Sequence, residues 1–315
     1  MIKTQLCDLL EIEYPIIQGG MAWIADASLA AAVSNAGGLG LISAMNANAE
    51  WLTKEIRKAR ELTNKTFGVN IMLMSPFADE VAQVVIDEGI KVVVTGAGNP
   101  SKYIKTWTQA GIKVIPVVPS TGIARRVEKD GACAVVAEGG ESGGHVGDLT
   151  TMTLVPQVCD AVNIPVIAAG GIADGRGIAA SFMLGACGVQ VGTRFLVAYE
   201  CNVHQNYKNK ILKASDIDTI TTGKRLGHPV RCLKNPFSRE YFKKEYDSSV
   251  SNEELEAMGA GVLRLAAVEG DEKNGCFMSG QIAALVKKEQ SAAEIIKEMF
   301  DEAEKILGGA GKWVK

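Results

Sequence analysis

KVVVTGAGNPSKYIKTWTQAGIKVIPVV, residues 91–118, holds two apolar runs, KVVVT at 91–95 and KVIPV at 113–117, on either side of an amphipathic stretch at 101–110. Continuous rather than alternating hydrophobicity means a strand covered on both faces, as in a parallel sheet flanked by helices. The same unit recurs outward in both directions. Apolar runs at 15–18, 38–42, 67–71, 132–138, 164–168 and 188–192 bring the number to eight, with helical stretches at 27–35, 49–61, 78–88, 121–129, 152–161 and 175–184. Eight strands alternating with helices predict a (β/α)8 TIM barrel over residues 1–195, although an open doubly wound sheet shares the pattern. From 196 to 315 the chain is more polar, with little strand signal. Helical periodicity returns at 252–267 and 292–307, with Ser251 and Ser291 as N-caps. This part is expected to be a smaller, mostly helical region on the substrate side, packed on the barrel and closing one side of its mouth.

The composition agrees. Thirty-four glycines and 6% aromatic residues suit an α/β protein with many tight turns and argue against a β-sandwich. The net charge, 33 − 36 = −3, is too mild to imply nucleic acid or an anionic membrane as a partner. No apolar run is long enough to span a bilayer, and the opening MIKTQLCDLLEIEYP has no signal-peptide core. The seven scattered cysteines, without a C-x-x-C pair, read as reduced thiols of a cytoplasmic protein. Three histidines with no Cys/His cluster give no reason to expect zinc.

A barrel of this type places its active site at the C-terminal ends of its strands. There the chain has Gly19, Gly20 and Met21 after the first run, Asn70 on the third, Glu138 on the sixth, Gly170 and Gly171 after the seventh, and Gly192 and Thr193 after the eighth. Glycines at the last two ends fit a phosphate held on backbone N–H groups, helped by a nearby helix start. The plain alternative is that they only make tight turns. His145 lies in a glycine-rich loop directly after the sixth run and suits proton transfer near neutral pH. Its alternative is a loop-bracing histidine. Glu138 ends a buried strand, so its carboxylate either accepts from a ligand or braces the His145 loop. Asp26 and Asp174 read as helix caps, and His204 and His228 as surface residues. Gly96-Ala97-Gly98 is only a partial dinucleotide match, and no G-x-G-x-x-G opens the chain. The segment 224–244 reverses the overall sign, with seven basic residues against Glu240. Such a run is either a solvated loop or a docking surface for an acidic partner.

PIIQGGMAW (15–23), FGVNIMLMSPF (67–77), VTGAGNPSKY (94–103), AEGGESGGHV (137–146), PVIAAGGIAD (165–174), QVGTRF (190–195) and MSGQIA (278–283) together resemble the nitronate monooxygenase/enoyl-reductase family of FMN barrels. The likeness covers essentially the whole chain and is nearest to the bacterial flavin-dependent enoyl-acyl-carrier-protein reductase II type. The resemblance implies FMN contacts at Gly20, Met21, Asn70, Glu138, Gly170, Gly171, Gly192 and Thr193, with His145 as the catalytic histidine. It also implies NADH or NADPH as co-substrate, an enoyl thioester on acyl carrier protein as substrate, and a response to a monovalent cation, for which the Met278 loop is the candidate place. A homodimer stays open. The rival reactions are nitronate oxidation on the same flavin, and flavin binding without turnover. Inosine-monophosphate-dehydrogenase-like chemistry would want a cysteine in the loop after the sixth strand, and none lies between Cys133 and Cys159.

Overall fold

The computed structural model describes residues 2–45 and 47–313. Eleven strands follow in chain order: β1 (Ile16–Gln18), β2 (Leu41–Ser43), β3 (Gly68–Met72), β4 (Val92–Gly96), β5 (Lys113–Val118), β6 (Val135–Glu138), β7 (Gly144–His145), β8 (Val166–Ala169), β9 (Gly188–Val191), β10 (Thr219–Thr222) and β11 (Val230–Leu233). Eight of them form one parallel sheet in the order β1-β9-β8-β6-β5-β4-β3-β2. The sheet closes on itself at Leu39, whose N–H donates to the Ile16 carbonyl and whose carbonyl accepts from Gln18, both at 2.9 Å. That closure makes the eight-stranded sheet a barrel rather than an open doubly wound sheet.

The Val92–Val94 block shows why the runs are continuous. Val92 and Val94 point into the barrel with Ile17, Leu41, Ile115, Val136 and Ile167, where Leu6 and Leu10 of the first helix join them. Val93 points outward to Ile104 and Trp107 of the helix Ser101–Gln109. Alternate side chains of one strand thus enter two separate cores. Helices fill the crossovers where the periodicity places them, Ala27–Asn35 without shift. Asp26 caps that helix through Leu29 N–H at 3.1 Å, and Asp174 caps Gly175–Met183 through Arg176 and Gly177 N–H. Ser251 and Ser291 each close a capping box with a glutamate three residues on.

The region after the barrel is mostly helical but also holds a hairpin that its polar sequence concealed. β10 runs antiparallel to β11, and β11 runs antiparallel to β7, a two-residue piece of the glycine-rich loop. Strands of four residues, half of them polar and supported by a partner from another part of the chain, leave no usable period. The helix expected across 252–267 is interrupted. Asn252–Gly259 stops before Gly261, which is left-handed at φ 73°, and the chain resumes as Val262–Arg264 and a π turn, Leu265–Glu269. The last long helix, Ala292–Gly308, buries Ile295, Ile296, Met299, Phe300 and Ala303 against the helix Gly175–Met183. Among the described residues no helix is long and apolar enough to cross a membrane.

Candidate active site

A cavity of about 220 Å³ opens at the C-terminal ends of the barrel strands. Gly20, Met21, Asn70, Glu138, His145, Gly170, Gly171, Gly192 and Thr193 all line it, so the fold brings together every residue marked in the sequence. The glycines differ in what they do. Gly170 and Gly171 adopt φ 87° and 73°, a region that L side chains rarely enter, so the turn after β8 itself demands them. A β-carbon on Gly20 would collide with the Asn70 side chain, so the absence of a side chain there lets Asn70 reach across the cavity. Gly192 has neither reason: its φ is −108°, and a β-carbon would make only ordinary contact with the Met21 side chain, at 3.7 Å from Sδ. The protein's own packing does not require glycine at that position, and the open space faces the cavity.

The helix after β8 does not offer its N-terminus to an anion, because the Asp174 carboxylate takes Arg176 and Gly177 N–H, and Glu302 takes Gly175 N–H at 2.8 Å. The helix start that remains at the site is the short 3-10 turn Thr193–Val197 after β9.

The loop 139–145 is tied from several sides. Glu141 accepts from the backbone and hydroxyl of Thr151 at 2.9 Å, and its carbonyl accepts from Gln281 N–H at 2.9 Å. Arg231, on β11, pairs with Gly144 through its backbone. Its guanidinium meanwhile donates twice to the Gly140 carbonyl, at 3.1 and 2.9 Å. Both ends of the loop therefore rest on one residue. Ser142 donates to Glu138 Oε1 at 3.1 Å, so Glu138 does brace the loop. Burial pushes the Glu138 carboxyl up to about 7, against the lowering effect of that hydrogen bond.

His145 stands on β7 at the cavity mouth, opposite Val230, with Val146 N–H donating to the Pro229 carbonyl at 3.0 Å. Its ring is solvent-exposed, yet the surrounding chain lowers its pKa, and His228 adds repulsion in the same sense. The surface reading of His228 misses this effect, because the hairpin turn meets β7 only through tertiary pairing. His204 is structural, its Nδ1 accepting from Asn206 N–H at 3.1 Å. Sequence reasoning also passed over Gln190. Its side chain is buried at the end of β9, it lines the cavity, and its Oε1 has no partner. The orphan acceptor is a mark of a ligand-facing group, and only its place in QVGTRF pointed to it. Among the described residues no cluster of His, Cys, Asp or Glu could hold a metal.

Comparison with known proteins agrees with this geometry. The nitronate monooxygenase family model matches residues 3–84 and 75–302. The chain belongs to the nitronate monooxygenase family. Among solved structures it is similar to FabK from Thermotoga maritima, at 50% identity and TM-score 0.97 with both chains fully covered. It is also similar to a nitroalkane oxidase from Streptomyces ansochromogenes, at 28% identity and TM-score 0.87, covering 97% of this chain and 99% of that one. A probable nitronate monooxygenase of Staphylococcus saprophyticus is 34% identical over 97% of this chain and 99% of its own. An indene-carboxyl-CoA dehydrogenase of Mycobacterium tuberculosis is 40% identical over 74% of this chain and 66% of its own. The solved relatives thus share this barrel, while the activities in their names differ.

Proposed function

We propose that this protein binds FMN and uses NADH or NADPH to reduce a trans-2-enoyl thioester on acyl carrier protein. The residues present fit the flavin. Gln190 Oε1 is a buried acceptor awaiting a donor, and Gly192 leaves space that the fold does not need. Gly170, Gly171, Gly192 and Thr193 would hold the phosphate, and Gly20, Met21, Asn70 and Glu138 the ring and its sugar-like chain. FMN, when bound, supplies the hydride-transfer chemistry between the pyridine nucleotide and the β-carbon of the enoyl group.

The chain's own residues supply the rest. His145, held by β11 over the mouth, delivers a proton to the α-carbon, and its lowered pKa makes its imidazolium a stronger acid. Glu138, with its carboxyl pushed up to about 7, titrates near neutrality and anchors Ser142 within the His145 loop. The placement of His145 above a glycine-lined cavity carries this reading, and the full-length likeness to FabK supports it over the rival. The rival, nitronate oxidation with His145 as base, has the nitroalkane oxidase likeness in its favour. One experiment separates the two. The yellow protein, kept anaerobic, should bleach with NADH or NADPH and regain its colour with a crotonyl thioester. Bleaching by a nitronate with no response to the thioester would establish the rival, and a colourless protein that takes up no FMN would overturn both.

A further inference from the structure

Trp23 occupies a position that neither backbone preference nor burial explains. Its φ is 64°, in the left-handed region that bulky side chains rarely adopt. A tight turn imposes this conformation: Ile24 and Ala25 N–H both return to the Met21 carbonyl, at 3.1 and 2.9 Å. The side chain is also 48% exposed. Strained residues of this kind concentrate at ligand sites. Met21, Ala22 and Ile24 line the cavity, so the indole stands on its rim. Facing it, the Arg264 guanidinium lies 6.0 Å from the ring centroid, and the neighbouring Leu263 lines the same cavity. Arg264 also pairs with Glu269 at 2.6 Å, both side chains being 48% exposed. An exposed pair of this kind exchanges for another anion at little cost.

A flat aromatic face beside a forked cation matches a planar base that carries phosphate. We infer that Trp23 and Arg264 form a rim subsite for an adenosine diphosphate group, the indole stacking on the adenine and the guanidinium taking the pyrophosphate. Resting on the proposed reductase reading, the source is the outer half of NADH or NADPH. A coenzyme A thioester carries the same chemistry, whereas an acyl carrier protein thioester has no adenine.

Two measurements on the FMN-loaded protein test this. In calorimetry, ADP should bind the wild type, weaken about tenfold with Trp23→Ala, as loss of one base-stacking contact predicts, recover with Trp23→Phe, and tighten with Glu269→Gln. In anaerobic stopped flow, Trp23→Ala should raise the NADH concentration for half-maximal flavin reduction by a similar factor. It should leave reduced nicotinamide mononucleotide, which lacks the adenosine, unchanged. ADP competing with crotonyl-CoA but not with NADH would assign the subsite to coenzyme A instead. Failure of ADP to bind the wild type, or equal loss with both nicotinamide donors, would overturn the subsite. A wild-type flavin that neither donor reduces would strike the reductase reading, while the ADP titration still decides the subsite.

Discussion

His145 is a residue whose role depends on what opposes it. Its pKa is lowered first by desolvation from the chain packed around it and then by His228. The rate of α-carbon protonation should therefore fall as pH rises through a value below the ordinary histidine range, because the proton-bearing form is lost there. His228→Gln removes the repulsion and should move that limb to higher pH, measured on the enoyl half-reaction by stopped flow. His145→Ala should slow the same half-reaction by roughly 10²–10⁴-fold, the span of general acid catalysis. Flavin reduction by the pyridine nucleotide needs no proton on carbon and should survive. Equal loss in both steps would give His145 a binding or folding role. The position of His145 was legible because a strand end and a run of glycines announce it. The influence of His228 was not, because 83 residues separate the two, a gap that only the β7–β11 pairing closes.

The element that organises the site is the three-stranded sheet β10-β11-β7. Through Arg231 it grips the glycine-rich loop at Gly140 and Gly144 together. A glycine-rich loop without such a grip would lose its shape to conformational entropy. Arg231→Met should raise backbone hydrogen exchange across residues 140–146 and slow enoyl reduction by roughly 10- to 100-fold, since small misplacements of a catalytic group carry large rate costs. Flavin reduction should change little. Arg231→Lys keeps one donor and should restore part of the rate. Unchanged exchange in the methionine variant would show that the guanidinium is dispensable to the loop. The basic character of 224–244 drew attention to Arg231 as charge, whereas the fold uses it as a hydrogen-bond donor to the Gly140 carbonyl and the Thr219 hydroxyl.

Across the whole molecule, three cations of the same segment are tied to backbone carbonyls. Arg225 donates to the carbonyls of Asp247 and Val250, Lys234 to that of Ile217, and Arg231 to that of Gly140. Lys224, Arg225, Arg239, Lys243 and Lys244 are exposed, with Lys244 pairing to Glu240 at 3.2 Å. Glu245 accepts from Gly223 and Arg225 N–H, so the helix Pro236–Glu245 is fixed to the hairpin turn beside His145. On a chain of net charge −3 this is a local positive patch. Reversing Arg239, Lys243 and Lys244 to glutamate should raise KM for an enoyl group on acidic acyl carrier protein, and the wild-type advantage should fade with salt. An enoyl-cysteamine thioester, which has no acidic surface to steer, should be unaffected. Equal effects on both substrates, or none on either, would rule the patch out as the docking surface.

The sequence by itself determined the eight parallel strands, the helices between them and the residues at the strand ends. Continuous Val/Ile runs are what two-faced burial demands, and parallel strands alternating with helices put their C-terminal ends on one side, so the pattern alone places Asn70, Glu138, Gly170, Gly171, Gly192 and Thr193 there. Only the tertiary structure decided closure at Leu39, the seating of β7 on the hairpin, the division of labour among the basic residues, and the meeting of Trp23 with Arg264. The physical reason is range. Periodicity reports which face of a local segment is buried, whereas short irregular strands, orphan acceptors such as Gln190 Oε1 and long-range charge contacts exist only once distant parts of the chain have met.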